Sequence, residues 1–213
     1  SDVYKRQILI INIMETISSN RPKIVVIGSC NTDMVVKANR LPVPGETILG
    51  GTFYMNPGGK GANQAIAAAR LGAEVTFISK IGYDLFGLQA LEIYRSEKIN
   101  TEFIFTDQKS PSGVALISVD SFGENSIIVA PGASRSLSTE DINKAEEKIK
   151  EADIILMQLE VPIDTVEYAA TIANRYGKKV ILNPAPASTL SNSFLNNVHT
   201  ISVSYTHLRA HET

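Results

Sequence analysis

Short, almost purely apolar runs recur along this chain, and capped helical stretches separate them. Lys23 to Gly28 (KIVVIG), Ile154 to Gln158 (IILMQ) and Lys179 to Leu182 are too short for helices and lack polar alternation, and Val75 to Ile81 (VTFISKI), interrupted by Thr76, Ser79 and Lys80, reads as a further core strand. Runs of this kind are expected as strands buried on both faces, as in parallel sheets. Between them, Asp84 caps a helix with Leu85, Leu88, Leu91 and Tyr94 at helical spacing. Ser138 with Asp141 opens another, with Ile142, Ala145, Ile149 and Ala152 as its apolar stripe. Pro162 stands where a third begins, and Gly177 follows its end at Tyr176. Strand, helix, strand in that order predicts right-handed βαβ units and an α/β fold. Two stretches leave this rhythm. Met34 to Tyr54 holds short β-prone pieces around Pro42-Val43-Pro44-Gly45, a hairpin-like excursion. Phe103 to Thr106, Gly113 to Val119 and Ser126 to Ala130 form another strand cluster, and His199 to Ile201 opens one more strand.

The chemistry is expected at Pro57-Gly58-Gly59-Lys60-Gly61-Ala62-Asn63-Gln64, a glycine-rich turn feeding a helix that Gly72 terminates. Free N–H groups at the helix start, with Lys60 and Asn63, would converge on one small polar ligand. A Walker phosphate loop fails on spacing, because Tyr54 stands at its first glycine and Gly61 at its Ser/Thr. A dinucleotide fingerprint fails because Gln64 takes the third glycine's place and Met55-Asn56-Pro57 is a poor strand end. A purely structural loop is the remaining alternative. Just past the first apolar run, Asn31 and Asp33 face the same way if the chain stays extended. That is where open α/β sheets place ligands, although an Asx-turn would use the same residues.

A chain of 213 residues, 44% hydrophobic and 20% charged, is long enough for one substantial core. Net charge −2 with a pI near 5.9 argues against nucleic acid or an anionic membrane as partner. The single cysteine, Cys30, excludes an internal disulfide and fits a reducing cytoplasm. It is expected to be a small buried residue, with no histidine nearby to activate it. Ile8 to Met14 is apolar but too short to span a bilayer. As a signal peptide it is interrupted by Asn12 and lacks a cleavage site. Met14 reads as the natural start, within an extension over 1–22. The segment 202–213 has neither core periodicity nor turn logic, and both ends resemble adapter-derived sequence. His207 and His211 would share a helical face, but Leu208 stands where the metalloprotease pattern needs Glu, and no metal site is expected.

The motifs GSCNTD (Gly28 to Asp33), PGET (Pro44 to Thr47), GGKGANQ (Gly58 to Gln64), GVALI (Gly113 to Ile117), MQLE (Met157 to Glu160) and NPAPA (Asn183 to Ala187) occur in an order that resembles the ribokinase (pfkB) family of ATP-dependent sugar and nucleoside kinases. The resemblance covers about Lys23 to Ile201, and GGKGAN with NPAPA is closer to the ribokinase branch than to fructokinases or adenosine kinases. It implies a doubly wound, mainly parallel sheet over 23–201 and a small β-sheet lid from about 34–54 and 103–130. The lid would close on the sugar and pair two subunits as a homodimer. By the same resemblance, Asn31, Asp33, Gly58, Gly59, Lys60, Asn63 and Glu160 contact the sugar hydroxyls, and Ala115 and Ile127 are apolar lid residues over the ring. A carboxylate can accept two hydroxyl protons at once, and such charge-assisted bonds are the stronger ones.

Each of these residues also has a structural alternative. Glu160 could cap the helix after it, Asp33 could pair with Lys60, Lys60 could be a solvated surface lysine, and NPAPA could be only a rigid turn. The activity implied is transfer of the γ-phosphate of ATP with Mg2+ to the 5-hydroxyl of D-ribose, with a monovalent cation (K+) in the family's full-length members. Deoxyribose, another sugar or a nucleoside as acceptor, or a non-catalytic sugar-binding module, are the alternatives. The family's Gly-Ala-Gly-Asp segment, which carries the catalytic base, does not occur here; Gly132-Ala133 runs on into Ser134. The expectation is therefore an amino-terminal portion, its base beyond the end of this chain, that keeps the sugar half of the site.

Overall fold

The structure, a computed structural model, describes residues 21–203. Except for Arg21, Pro22, Ser202 and Val203, the two flanking segments lie outside the described residues, as does the His207/His211 pair. Ten strands form two sheets among the described residues. The larger sheet takes β1 (Lys23–Ile27), β4 (Glu74–Gly82), β5 (Ile104–Asp107), β8 (Ile154–Gln158), β9 (Lys179–Asn183) and β10 (Thr200–Ile201), in the order β10-β9-β8-β1-β4-β5. Every pairing within it is parallel. The smaller sheet takes β2 (Asn31–Lys37), β3 (Thr52–Gly58), β6 (Gly113–Val119) and β7 (Asn125–Ala130), in the order β3-β2-β6-β7.

Successive side chains of a strand point to opposite faces, so a central strand covered on both sides must be apolar throughout. In β1, Val25 and Ile27 enter one core with Ile155 and Met157, while Val26 enters the other with Val75 and Phe77. Burying each of these side chains fully contributes roughly 1.5–3 kcal/mol. The first core is closed by α3 (Thr139–Lys144), α4 (Glu146–Glu151), α5 (Ile163–Arg175) and α6 (Asn192–Leu195). The second is closed by α1 (Lys60–Arg70) and α2 (Leu85–Ser96), and there Phe77 meets Tyr94 edge to face at 5.4 Å. The fold is an α/β doubly wound sheet with a small second sheet.

Four details differ from the sequence-based expectations. The strand at Phe103 to Thr106 does not join the small sheet; as β5 it pairs with β4 at the edge of the large one, with Phe103 and Phe105 packed on the first core. The small sheet's second contribution is therefore Gly113 to Ala130. The stripe of α2 is displaced, since Leu85 and Leu88 are exposed while Gly87, Ala90 and Tyr94 are buried. Gly87 is the reason: a Cβ there would collide with the Gly82 carbonyl, so the helix rests on its smallest residues and its leucines are turned aside. The helix opened by Ser138 breaks at Ala145 into α3 and α4, although its stripe is buried as expected. Lastly, Met55-Asn56-Pro57 does end a strand. β3 is an edge strand, and Pro57 costs no ladder bond on its unpaired side.

Strand order reverses at β1. The chain leaves β1 for β4 and β5 on one side, and later lays β8, β9 and β10 on the other. The crevice at the carboxyl ends of β1 and β8 is thus the sheet's topological switch point, where α/β folds bind ligands. The small sheet begins at the same place, because only Gly28-Ser29-Cys30 separates β1 from β2.

Candidate functional site

Three chain segments meet at the switch point: the link after β1, the start of α1, and the residues after β8. Their convergence needs small residues. A Cβ on Gly61 would lie 2.7 Å from the Ser29 N, and one on Gly28 would collide with the Gln158 amide. Gly59, at φ 91°, turns the chain from β3 into α1 in a conformation that L side chains rarely adopt.

Glu160 ties the three segments together. Its Oε2 accepts the Ser29 hydroxyl and the Lys60 N–H (2.9 Å), and its Oε1 accepts the Lys60 ammonium at 2.9 Å. Glu160 therefore caps α1, not the helix that follows it, and Lys60 takes Glu160 as its ion-pair partner in place of Asp33. The amides at the start of α1 are accordingly not all free, since Lys60 N–H bonds Glu160 and Ala62 N–H bonds the Ser29 carbonyl at 3.0 Å.

Asn31, Lys60 and Glu160 line one cavity of about 370 Å³, together with Ser29, Val129 and Arg135. Asn31 is buried, and its Oδ1 has no hydrogen-bond partner among the described residues. A buried acceptor left unsatisfied is costly; the Oδ1 is enclosed beside Gly113, where a Cβ would collide with it, and a turn of the Asn31 amide toward the cavity would let a ligand hydroxyl relieve that cost. Asp33 follows on the same face of β2, half-buried, directly beside Gly58, where a Cβ would collide with the Asp33 carboxylate. Ala115 is Asp33's register partner on β6 and is itself paired with Val129 on β7, so these side chains share the face of the small sheet that bounds the cavity. Ile127 lies two residues before Val129 on that face and is half exposed, off the lining. Asn63 is also exposed and off the lining, because α1 turns Gly61, Ala62, Ala65 and Ala68 inward.

The two carboxylates are tuned in opposite directions. Burial disfavours the Glu160 charge, but the Ser29 hydroxyl, the Lys60 N–H and the Lys60 ammonium outweigh it, and its pKa is lowered. Asp33 is raised, first by burial and then by the Glu160 charge, with Lys60 offsetting only part. Cys30 is buried 2.9 Å from the Tyr94 hydroxyl, and burial pushes its thiol up to about 11, so it is unreactive as expected. Among the described residues, no group of three or more His, Cys, Asp or Glu is placed to hold a metal ion, so none is assigned to Mg2+ or K+. No described helix is long and apolar enough to cross a membrane.

Ser29 and Arg135 were not anticipated from the sequence. Ser29 carries a weak signal, a hydroxyl at the tip of a buried strand, yet its partner is 131 positions away. Arg135 carries none.

The profile of the pfkB family of carbohydrate kinases matches residues 21–210. The chain belongs to this family. A relative named ribokinase from Haemophilus influenzae is 45% identical over 85% of this chain and 59% of its own length. One from Mus musculus, also named ribokinase, is 44% identical over 77% of this chain and 51% of its own. The chain thus spans roughly half to three-fifths of these kinases. A solved structure of Arabidopsis thaliana ribokinase, complexed with ribose and ATP, superposes with a TM-score of 0.76 at 31% identity, over 89% of this chain and 62% of that one.

Proposed function

We propose that residues 23–201 form the sugar-binding part of a D-ribose kinase, which transfers the γ-phosphate of ATP to the 5-hydroxyl. The observation that carries this reading is the meeting of Asn31, Lys60 and Glu160 in one cavity at the switch point, with an unsatisfied Asn31 acceptor. In this reading Asn31, Asp33 and Glu160 accept sugar hydroxyls, Lys60 adds a polar contact, and Asn63, which lies off the open cavity, adds one only with the lid closed over the sugar. Gly58 and Gly59 let the ring approach the backbone, while Ala115 and Ile127 cover it from the lid. A sugar lacking one hydroxyl leaves a buried acceptor unpaired, which is the source of discrimination. In-line phosphoryl transfer depends on positioning and charge stabilisation, and this chain's residues supply the positioning of the acceptor. When bound, Mg2+ supplies charge neutralisation on the ATP phosphates, and a monovalent cation accompanies it in the family reading. No residue of this chain is assigned as the catalytic base.

A cytoplasmic homodimer paired through the lid completes the reading. It is supported by the apolar side chains the small sheet exposes on the face away from the cavity, Phe53, Leu116 and Ile128 among them. Sedimentation at increasing concentration tests it, and a strictly monomeric chain refutes it. The sugar reading is tested by titration calorimetry with D-ribose and 2-deoxyribose. Ribose is expected to bind the more tightly; failure of ribose to bind, or an Asn31→Ala variant that binds it unchanged, overturns the reading.

A further inference from the structure

We propose that Arg135 makes the sugar cavity selective for ligands bearing a phosphate group, so that a phosphorylated pentose is held more tightly than the free sugar. The proposal rests on the sugar-kinase reading above and adds a residue to it. Two cations line the cavity, Lys60 and Arg135. Lys60 is neutralised by Glu160 at 2.9 Å, whereas Arg135 has no ion-pair partner among the described residues. Asp33, half-buried beside the cavity, is coupled to Glu160 and Lys60 and makes no ion pair with Arg135. The exposed Arg135 guanidinium therefore stands on the cavity wall without a carboxylate of its own among the described residues.

The carboxylates packed near the Arg135 turn are already engaged. Asp107 accepts the Ser136 hydroxyl and the N–H groups of Lys109 (2.8 Å) and Ser110 (3.1 Å). Asp141 accepts the Lys80 ammonium at 2.8 Å and caps α3 through Ser138. Neither is drawn toward the guanidinium.

The mount is rigid. Arg135 sits in a single 3-10 turn, Gly132–Ser136, between two serines whose side chains are both tied down. Ser134, fully buried, accepts the Cys30 N–H at 3.3 Å, and Ser136 donates to Asp107 and to the Ala133 carbonyl. Ala133 N–H is held by the Pro111 carbonyl at 2.8 Å. Cys30 lies directly between the site residues Ser29 and Asn31, so the Ser134 bond fixes the Arg135 backbone relative to the sugar contacts. A guanidinium on such a base presents a planar fork suited to two phosphate oxygens.

Space agrees with charge. A pentose has roughly ten non-hydrogen atoms and, at no more than the ~30 Å³ of a water each, fills at most about 300 Å³. Part of the 370 Å³ cavity is then left for a further group.

The test is calorimetry with D-ribose, ribose 5-phosphate and inorganic phosphate on the native chain, Arg135→Ala and Arg135→Lys, at low and moderate salt. The native chain is expected to bind ribose 5-phosphate about tenfold more tightly than ribose, and Arg135→Ala to bring that ratio close to one. Arg135→Lys is expected to keep part of the preference, and added salt to weaken it. A native ratio near one, or a ratio unchanged in Arg135→Ala, overturns the proposal and leaves the ribose reading standing. Inorganic phosphate binding as tightly as the sugar phosphate overturns it too, because the anion would then not be read together with a sugar. Failure of ribose itself to bind the native chain is a failure of the sugar reading, recognisable in the same titration.

Discussion

Replacing Glu160 with glutamine removes a charge while keeping the shape, and the outcome follows from the three donors that meet there. The new amide can turn its one oxygen toward the Ser29 hydroxyl and Lys60 N–H, which leaves its NH2 group facing the Lys60 ammonium. Donor then meets donor, and Lys60, whose side chain is 42% exposed, swings into solvent. The lost ion pair is half solvated on the lysine side and contributes at most about 1 kcal/mol after screening. Weakening two charge-assisted bonds to neutral ones adds about another 1 kcal/mol. The sum, about 1–2 kcal/mol, lowers Tm by roughly 2–8 °C for a chain of this size.

The penalty also has a pH signature. Glu160's folded pKa lies below its ordinary 4.5, so the stabilisation is fully present above that value. It is lost as pH falls through the lower, folded value. Melts of the native and Glu160→Gln proteins followed by circular dichroism are therefore expected to differ by the same amount from pH 7 down to about 5, and to converge only as the pH falls through the lowered, folded value. A gap that is absent at pH 7, or that widens on acidification, refutes the assignment of Glu160 as the ionised anchor of α1.

Two further outcomes follow. Gly59→Ala forces an L residue to φ 91° with its Cβ 2.9 Å from the Ser29 carbonyl, and should cost more than Gly123→Ala, which has φ 86° but nothing within 4 Å. Strain alone is of order 1–3 kcal/mol in both, so urea melts showing equal losses would mean the Ser29 approach is unimportant. Because Asp33's pKa is raised, ribose affinity should begin to fall on acidification at a higher pH than an ordinary aspartate would dictate, and Asp33→Asn should remove that dependence; calorimetry between pH 7 and 5 that finds identical profiles for both proteins excludes Asp33 as an ionised acceptor.

How much was legible depended on whether a feature is local. The buried strands β1, β8 and β9 could be read because both faces are covered, which leaves a short apolar run, and β4 because Val75, Phe77, Ile78 and Ile81 dominate it despite Thr76, Ser79 and Lys80. The caps at Asp84 and Ser138 were legible for the same reason, as each bonds an N–H three residues on. Phe103 to Thr106 announced a strand but not its sheet, since pairing with β4 is decided by a fold-back the pattern does not encode. The face of α2 was misread because periodicity weighs leucines and overlooks a glycine that must touch a backbone. Asn31 and Glu160 could be nominated by strand-end position, Lys60 by the glycine-rich turn that opens a helix, and all three jointly by family resemblance. The Ser29 bond to Glu160 and the Arg135 position required coordinates, because both depend on partners more than a hundred residues apart or on a cavity wall.

The three residues that separate β1 from β2 carry a consequence for anyone wishing to exchange this family's lids. The chain crosses between the two sheets four times among the described residues: through Gly28-Ser29-Cys30, through Gly58-Gly59, between β5 and β6, and after β7 at Pro131. All but the β5–β6 crossing coincide with a wall of the proposed sugar cavity or with the glycines beside it. A chimera with a foreign small sheet must therefore be joined at three points beside the proposed sugar cavity, so under that reading the transplanted sheet brings its donor's sugar preference with it or loses the cavity altogether.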